Sequence, residues 1–343
     1  MTLRPSRAHQ QNDEFCLGKP SSKKGGKKLD SVAVVFQNPG QLALTELPLS
    51  AMGDEDLLVA VAHSGISTGT ERLLWTGRMP QFPGMGYPLV PGYESVGRVV
   101  DAGADARSRI GDFVFVPGAK CYGEVKGLFG GSASRVVLPA SRAMTIAESL
   151  ADRGVLLALA ATAYHVAPGA TPQPDLIIGH GVLGRLVARL AVAAGAKPTV
   201  WETNASRRTG AEGYSVIDPS EDDPSRRCHL ICDVSGDARL IDTLIARLAP
   251  GGEVVLAGFY EGSISFAFAQ AFMREARIRI AAQWQPSDLI AVRDMAESGR
   301  LSLDGLITHG CDASASDAVS SAYNTAFTDA SCLKMILNWS ARA

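Results

Sequence analysis

The chain has 343 residues, of which 46% are hydrophobic and 20% are charged, and its formal net charge is −2. This length suffices for two domains of ordinary size, and the composition is typical of a soluble globular enzyme. The weak net charge predicts no nucleic-acid partner. Because no apolar run approaches the roughly 18 residues of a membrane helix, we do not expect stable membrane insertion either.

The first 30 residues differ from the rest of the chain. They hold seven Lys or Arg against three Asp or Glu and lack apolar periodicity, which predicts a disordered tail at 1–30. The six cysteines are scattered without paired CxxC spacing. They are therefore expected to be reduced thiols of a cytoplasmic protein.

From residue 31 the pattern is rich in β-strands. Alternating or continuous apolar runs, separated by Gly and Pro, predict strands at 32–36, 42–47, 57–63, 96–102, 113–116 and 134–138. We expect these strands to form a compact β-barrel-like domain with few helices.

After residue 155 the pattern changes to an alternation of helices and strands. A buried helix is expected at 155–163 and another helix at 238–248, with strands at 215–217, 230–234 and 253–257. Such alternation predicts a parallel sheet with a ligand at the carboxyl ends of its strands, where Ser235 and Gly258 lie. After residue 300, strands are expected again at 306–309 and 333–339 around a helix at 317–327.

The segment 175–202 carries the strongest signal in the chain. A short apolar strand leads into a glycine turn and a helix, and a second strand ends in Glu202; the turn consists of Gly179, His180, Gly181, Val182, Leu183 and Gly184. The three glycines permit a tight turn, an approach to a pyrophosphate and close packing of the helix on the strand. The helix N-terminus attracts the phosphates. The segment predicts a dinucleotide site, with the His180 side chain facing solvent or the phosphates.

The residues after the second strand bear on which dinucleotide binds. A carboxylate at Glu202 accepts hydrogen bonds from ribose hydroxyls and repels a 2′-phosphate, which favours NAD over NADP. Arg207 and Arg208 leave the opposite choice open, because such a pair can grip the 2′-phosphate.

This order of elements and four motifs resemble the medium-chain dehydrogenase/reductase family. The motifs are VPGYESVG at 90–97, IGDFV at 110–114, GHGVLG at 179–184 and the stretch 299–309. The resemblance covers 31–343 and implies an α/β protein with two domains. A GroES-like β-rich catalytic domain would occupy 31–155 and 300–343, and a Rossmann domain with a doubly wound parallel sheet would occupy 156–299.

The sequence departs from the zinc-dependent alcohol dehydrogenases of this family. Where they usually carry a Cys and a His as metal ligands, this chain has Ser67 and Tyr93, and 156–160 holds no third ligand. A catalytic zinc needs about three thiolate, imidazole or carboxylate ligands. We therefore expect no zinc.

The stretch 64–95 is similar to a zinc-free branch of the family that acts in bacteriochlorophyll biosynthesis. The resemblance implies an NAD-dependent secondary-alcohol dehydrogenase. Its substrate would be a chlorin or bacteriochlorin whose hydroxyethyl side chain is oxidised to an acetyl group. The resemblance also suggests a homodimer, which we expect to form by edge pairing of the central sheet near 264–268. Because the product is apolar, peripheral attachment to a photosynthetic membrane stays open.

Without a metal, hydrogen bonds must stabilise the developing oxyanion and a side chain must relay the proton. The hydroxyls of Ser67, Thr68 and Tyr93 are the candidates. Tyr93 is the first choice because a phenol both donates and accepts, and a nearby nicotinium charge would favour its phenolate. Alternatively, Tyr93 only packs against the macrocycle. His165 is a second proton relay candidate or else a core or capping histidine, and Glu94 is expected to be structural.

A macrocycle needs a broad apolar slot. The residues expected to line this slot are Trp75, Phe82, Met85, Tyr87 and Phe129, for which ordinary core packing is the alternative.

Two other functions remain open. One is a zinc-free NADPH-dependent quinone or enone reductase, in which Arg207 and Arg208 outweigh Glu202. The other is a non-catalytic pigment carrier.

Overall fold

The computed structural model describes residues 29–81, 83–169 and 172–342. Residues 1–28, which make up most of the predicted tail, lie outside the described residues, and so does Phe82.

The strands are β1 (Asp30–Asn38), β2 (Gln41–Pro48), β3 (Asp56–Ile66), β4 (Leu89–Val90), β5 (Ser95–Ala102), β6 (Phe113–Val116), β7 (Lys126–Gly127), β8 (Arg135–Pro139), β9 (Met144–Thr145), β10 (Leu176–Ile178), β11 (Thr199–Trp201), β12 (Ser215–Ile217), β13 (Cys228–Asp233), β14 (Leu248–Leu256), β15 (Arg277–Ile280), β16 (Ile307–Asp312) and β17 (Lys334–Asn338). The α-helices are α1 (Thr70–Thr76), α2 (Leu157–Val166), α3 (Val182–Ala193), α4 (Ile241–Arg247), α5 (Phe268–Met273), α6 (Pro286–Glu297) and α7 (Ser316–Thr328).

The first part of the chain forms two sheets together with the C-terminal segment. One sheet has the strand order β2-β1-β4-β7, and the other has the order β16-β17-β3-β5-β6-β9 with β8 also paired to β3. The C-terminal β17 runs antiparallel to β3, with Met335 opposite Ile66. Phe36 and Tyr323 meet edge to face, with ring centroids 5.3 Å apart, and so pack α7 onto this unit. The last segment therefore completes the β-rich unit rather than a separate one.

The middle of the chain forms a parallel sheet of order β12-β11-β10-β13-β14-β15. From β10 the chain adds β11 and β12 on one side of the sheet. It then crosses back and adds β13, β14 and β15 on the other side of β10. A crevice opens at the carboxyl end of β10, where the direction reverses. The α/β fold class with a doubly wound sheet is confirmed, whereas the exact domain boundaries stay a prediction.

The structure differs from the sequence-based expectations in several helices. The two short helices α1 and α5 and the longer α6 were not expected. The helix predicted at 238–248 begins as a 3₁₀ turn, Ala238–Leu240, and then continues as α4. The expected strand edge at 264–268 is wrong. That segment leads into α5, and β15 pairs with β14 and takes the edge. Within the described residues, no helix combines the length and the apolar character needed to cross a membrane.

Candidate active site

A cleft of about 1950 Å³ runs between the two sheet systems. The glycine turn and the carboxyl ends of β11, β13 and β14 line one wall. The opposite wall is built from the start of α1, from Tyr93 and Phe129, and from the turn before β9. Both sets of predicted functional elements therefore face the same space.

The glycine turn leaves room for a phosphate group. Gly179 has φ = +99°, a conformation that favours glycine. A Cβ on Gly184 would lie 1.9 Å from the carbonyl oxygen of Gly179, so the helix packs closely against the strand only with glycine there. A Cβ on Gly181 would meet nothing within 4 Å. The free N–H groups at the start of α3 thus border an open cradle, which Val182 and Leu183 help to line.

The Glu202 carboxylate is fixed beside this cradle. Its two oxygens accept the backbone N–H of His180 at 2.9 Å and the backbone N–H of Asn204 at 2.8 Å. Glu202, Ser235 and Gly258 all line the cleft. The acid predicted from the sequence therefore lies next to the turn and faces the cleft.

The His180 side chain lies elsewhere than we expected. Its ring is buried behind the turn, with Nδ1 2.6 Å from the Arg207 carbonyl oxygen and Nε2 2.9 Å from the Tyr214 hydroxyl. Burial lowers the pKa of His180 to about 4, so the ring is neutral. The prediction that this side chain faces solvent or phosphates is corrected, because Arg207 and Tyr214 occupy both ring nitrogens.

The two arginines after Glu202 do not act as a pair. Arg208 donates to the Glu202 carbonyl oxygen at 2.7 Å and forms an ion pair with Asp218, and it does not line the cleft among the described residues. Arg207 does line the cleft, and its Nε donates to the Ala330 carbonyl oxygen at 2.7 Å.

Ser67 and Tyr93 meet at the opposite wall. Their hydroxyl oxygens are 2.7 Å apart, and Thr68 lines the cleft beside them. The Phe129 ring contacts Tyr93 edge to face, with centroids 5.4 Å apart. Burial of the phenol, and then the charge of Glu94, raise the pKa of Tyr93 far above its usual value. In this cofactor-free structure Tyr93 is therefore a phenol.

A buried charged cluster lies behind this pair. Lys334 Nζ lies 2.6 Å from Glu94 Oε2 and also donates to the Ile66 carbonyl oxygen at 3.2 Å. The carboxylate of Glu71 accepts the Ser67 backbone N–H at 3.0 Å and the Tyr323 hydroxyl at 2.8 Å. Glu94 is structural, as expected, although its partner is a lysine. Sequence reasoning missed the bonds from Lys334 to Glu94 and from Tyr323 to Glu71 because these partners lie far apart along the chain.

His165 is not brought to the cleft. Its Nδ1 lies 2.8 Å from Asp288 Oδ2, and the same oxygen accepts the backbone N–H of Gln285 at the start of α6. His165 is absent from the described residues that line the cleft. This geometry supports the structural alternative over a proton relay.

Of the residues expected to line an apolar slot, Phe129 does so. Trp75 packs edge to face on Phe36 at 5.4 Å, Met85 packs against the same core, and the Tyr87 hydroxyl donates to the Leu74 carbonyl oxygen. Core packing explains these three residues. The apolar lining comes instead from Met79, Leu159, Phe259, Trp284, Ile290 and Phe327.

The donor set at the catalytic wall does not fit zinc. Ser67 and Tyr93 offer hydroxyls that bond to each other. Within the described ranges, no group of three or more His, Cys, Asp or Glu side chains is arranged to hold a metal ion.

Comparison with known proteins identifies the family of the chain. The alcohol dehydrogenase GroES-like domain model matches residues 53–148. The chain is 54% identical over 320 residues to a 2-desacetyl-2-hydroxyethyl bacteriochlorophyllide A dehydrogenase of Cereibacter sphaeroides, covering 91% of this chain and 99% of the relative. It is 55% identical over 314 residues to the protein of the same name from Rhodobacter capsulatus, with the same coverage of both chains.

Two solved structures show the same fold. A short chain alcohol dehydrogenase from E. coli CFT073, complexed with NADH, aligns with a TM-score of 0.77 at 21% identity, over 90% of this chain and 99% of that one. A putative zinc-binding dehydrogenase from Sinorhizobium meliloti 1021, bound to NADP, aligns with a TM-score of 0.76 at 22% identity, over 91% and 100%. With its GroES-like domain, its doubly wound sheet and relatives more than half identical over nearly their whole length, the chain belongs to the medium-chain dehydrogenase/reductase family, in the group of the bacteriochlorophyllide dehydrogenases.

Proposed function

We propose that this protein oxidises the hydroxyethyl side chain of a bacteriochlorophyllide to an acetyl group and transfers the hydride to NAD⁺. The relatives named for this activity are 54% and 55% identical to the chain. The observation that carries the proposal is the Ser67–Tyr93 hydroxyl pair, 2.7 Å apart, in the same cleft as the glycine turn. An alcohol held by this pair would share the cleft with a nicotinamide bound along the glycine turn.

The chain's own groups hold the dinucleotide at the β10 end of the cleft. At the Gly181 cradle, the N–H groups at the start of α3 would hold the pyrophosphate, and the Glu202 carboxylate would accept hydrogen bonds from the ribose hydroxyls. When bound, the nicotinamide accepts the hydride.

NAD rather than NADP is favoured by the surroundings of Glu202. A 2′-phosphate would meet its carboxylate, which costs free energy because like charges repel. Arg208 is held by Asp218 and by a carbonyl oxygen, and cannot join Arg207 around a phosphate without breaking that ion pair. The same geometry speaks against the NADPH-dependent reductase.

Tyr93 and Ser67 handle the hydroxyl proton. Because the pKa of Tyr93 is raised, a free phenolate is unfavourable. Tyr93 takes the substrate's proton while it passes its own to Ser67 Oγ, which hands a proton to water in the cleft. The charge on the phenol oxygen stays small throughout, and the hydroxyls stabilise the developing alkoxide by hydrogen bonds in place of a zinc ion.

The cleft has the size that the substrate requires. Its volume of about 1950 Å³ exceeds the roughly 300–1,000 Å³ of ordinary ligand pockets. This volume leaves room for a macrocycle beside a dinucleotide, and Phe129, Trp284 and Phe327 offer apolar ring faces for the macrocycle.

We also propose a homodimer through the free edge of the parallel sheet. β15 is the edge strand of the described sheet. Beside it lie exposed apolar side chains: Phe268, Phe272, Met273 and Ile280 are 72%, 66%, 78% and 64% exposed. A second copy related by a two-fold axis would pair with the edge strand and cover this apolar surface at once.

The test is incubation of the purified protein with a hydroxyethyl bacteriochlorophyllide and NAD⁺ while the red absorption band is recorded. We expect the band to shift in step with NADH formation. Binding of pigment without any turnover would support the carrier function. Oxidation of NADPH by quinones or enones, with no reaction of the alcohol, would support the reductase.

A further inference from the structure

We infer that Arg142 binds the propionate carboxylate of the macrocycle and thereby selects the free acid over its esters. This inference rests on the proposed function. A chlorophyllide carries a free carboxylate on the ring next to the one that bears the hydroxyethyl group, so a site for the acid needs a cation at a fixed distance from the reacting carbon.

Arg142 supplies an unpaired positive charge inside the cleft. Of the arginines that line it, Arg109, Arg247 and Arg293 have carboxylate partners. In the described part of the chain, the Arg142 side chain has no ion pair and no hydrogen bond, and it is exposed to the cleft. An arginine presents a planar fork of N–H donors that matches a carboxylate.

The turn that carries Arg142 is held in place. Arg109 donates from its guanidinium to the carbonyl oxygens of Ala140 and Ala143, both at 3.1 Å, and so brackets the turn on either side of Arg142. Asp112 fixes Arg109 in turn, with Oδ2 2.6 Å from its Nε. Arg142 is thus presented from a fixed backbone.

The sheet register places the backbone of Arg142 near that of Tyr93. β5, β6 and β9 are neighbours, with Ser95 opposite Val116 and Phe115 opposite Met144. Tyr93 stands two residues before β5, and Arg142 stands two residues before β9. Their backbones therefore lie at the same end of the sheet, two strand spacings or about 10 Å apart. That separation is close to the breadth of a tetrapyrrole ring.

Another arginine of the cleft, Arg72, also has no ion pair or side-chain hydrogen bond among the described residues, and it stands on the opposite flank. Arg72 follows β3 on α1, on the side of Tyr93 that leads to β17. On this flank, the Ala330 carbonyl oxygen accepts a hydrogen bond from Arg207, which belongs to the loop after Glu202. Because Glu202 is proposed to bind the ribose, this flank faces the dinucleotide. The β9 flank, with Arg142, is left for the substrate.

The experiment compares the free acid of the hydroxyethyl bacteriochlorophyllide with its propionate methyl ester. For the unmodified protein, we expect kcat/KM to be about ten times higher for the acid than for the ester. A factor of about ten corresponds to the free energy of one charge-assisted hydrogen bond. In Arg142→Met, KM for the acid should rise about tenfold with kcat little changed, and the ester should be unaffected. Arg142→Lys should recover part of the preference. Arg107→Met is the control, because it removes an exposed arginine that does not line the cleft. This variant should keep the full preference for the acid over the ester.

The inference is overturned if Arg142→Met slows acid and ester equally, if the preference persists, or if Arg72→Met abolishes it instead. Ester turnover reports that each variant is folded. If the unmodified protein oxidises neither compound, the proposed function itself fails. If it oxidises both equally well, only the assignment to Arg142 fails.

Discussion

Lys334 Nζ and Glu94 Oε2 lie 2.6 Å apart in the interior of the protein, although 240 residues separate them along the chain. The pair joins β17, at the C-terminus, to the segment that presents Tyr93. Both side chains are almost fully buried, so each charge depends on the other for its stabilisation.

Lys334→Met should destabilise the protein by about 3 to 5 kcal/mol, because it leaves a buried carboxylate without its partner. The double change Glu94→Gln with Lys334→Met should cost less than Lys334→Met alone. Urea unfolding measures both. A single variant as stable as the unmodified protein would show that the pair does not hold the two segments together.

Tyr93→Phe should lower kcat on the order of 10²-fold, because it removes the group that exchanges the proton with Ser67. KM for the pigment should change little, since the ring that contacts Phe129 remains. Tyr164→Phe is the matched control, because Tyr164 does not line the cleft in the described structure. Unchanged turnover in Tyr93→Phe would restrict Tyr93 to packing.

Glu202→Gln should narrow the preference for NAD⁺ over NADP⁺ by about tenfold or more, since it removes the charge but keeps an oxygen for the backbone N–H of His180. Arg208→Met should leave the preference unchanged, because Arg208 is turned towards Asp218. Steady-state kinetics with both cofactors measures the ratio. A strong loss of NADP⁺ use in Arg208→Met would contradict the proposed geometry.

Glu71→Gln should change how stability depends on pH. Burial raises the pKa of Glu71 to about 7, and the nearby charge of Glu94 adds to the shift, while Ser67, Tyr323 and Lys334 oppose it. In the unfolded chain the pKa is close to the usual glutamate value of 4.5. A raised carboxyl pKa means that the native state binds more protons between these two values, so stability falls as pH rises from about 4.5 through 7.

Above pH 8, ionisation of Glu71 lowers the free energy of unfolding by an amount on the order of 3 kcal/mol. Glu71→Gln lacks this titration, so relative to the unmodified protein it should gain stability as pH rises from 4.5 to 8. Urea unfolding at pH 5 and at pH 8.5 gives the two differences. Parallel pH profiles for the two proteins would mean that Glu71 titrates normally.

Phe268→Glu should convert the proposed dimer into a monomer, because a carboxylate would have to be buried in the apolar surface beside β15. Ile110→Glu, at an exposed apolar position in the other sheet system, should leave the mass unchanged. Light scattering on a sizing column measures both. A monomeric unmodified protein would remove the dimer from the proposal.

The local sequence determined the strands and the dinucleotide turn. Period-two apolar runs marked β1, β2, β3, β5 and β6, and the spacing of Gly179, Gly181 and Gly184 marked the cradle. These features depend on neighbours within a few residues: alternation buries one face of a strand, and a glycine admits a backbone that other residues avoid. The replacement of metal ligands by Ser67 and Tyr93 was likewise visible, because the family motif fixes those positions.

Only the tertiary structure decided which side chains reach the cleft. The sequence predicted that Met85, Tyr87 and Trp75 contact the macrocycle, but these side chains pack within their own domain. Pairing between strands that are distant along the chain brings Arg142 and Lys334 to the cleft. The charge state of Tyr93 also depends on the tertiary structure, because burial and then the nearby Glu94 carboxylate raise its pKa. A side chain's direction and electrostatic surroundings are set by contacts across the sheet, and no local pattern of residues records them.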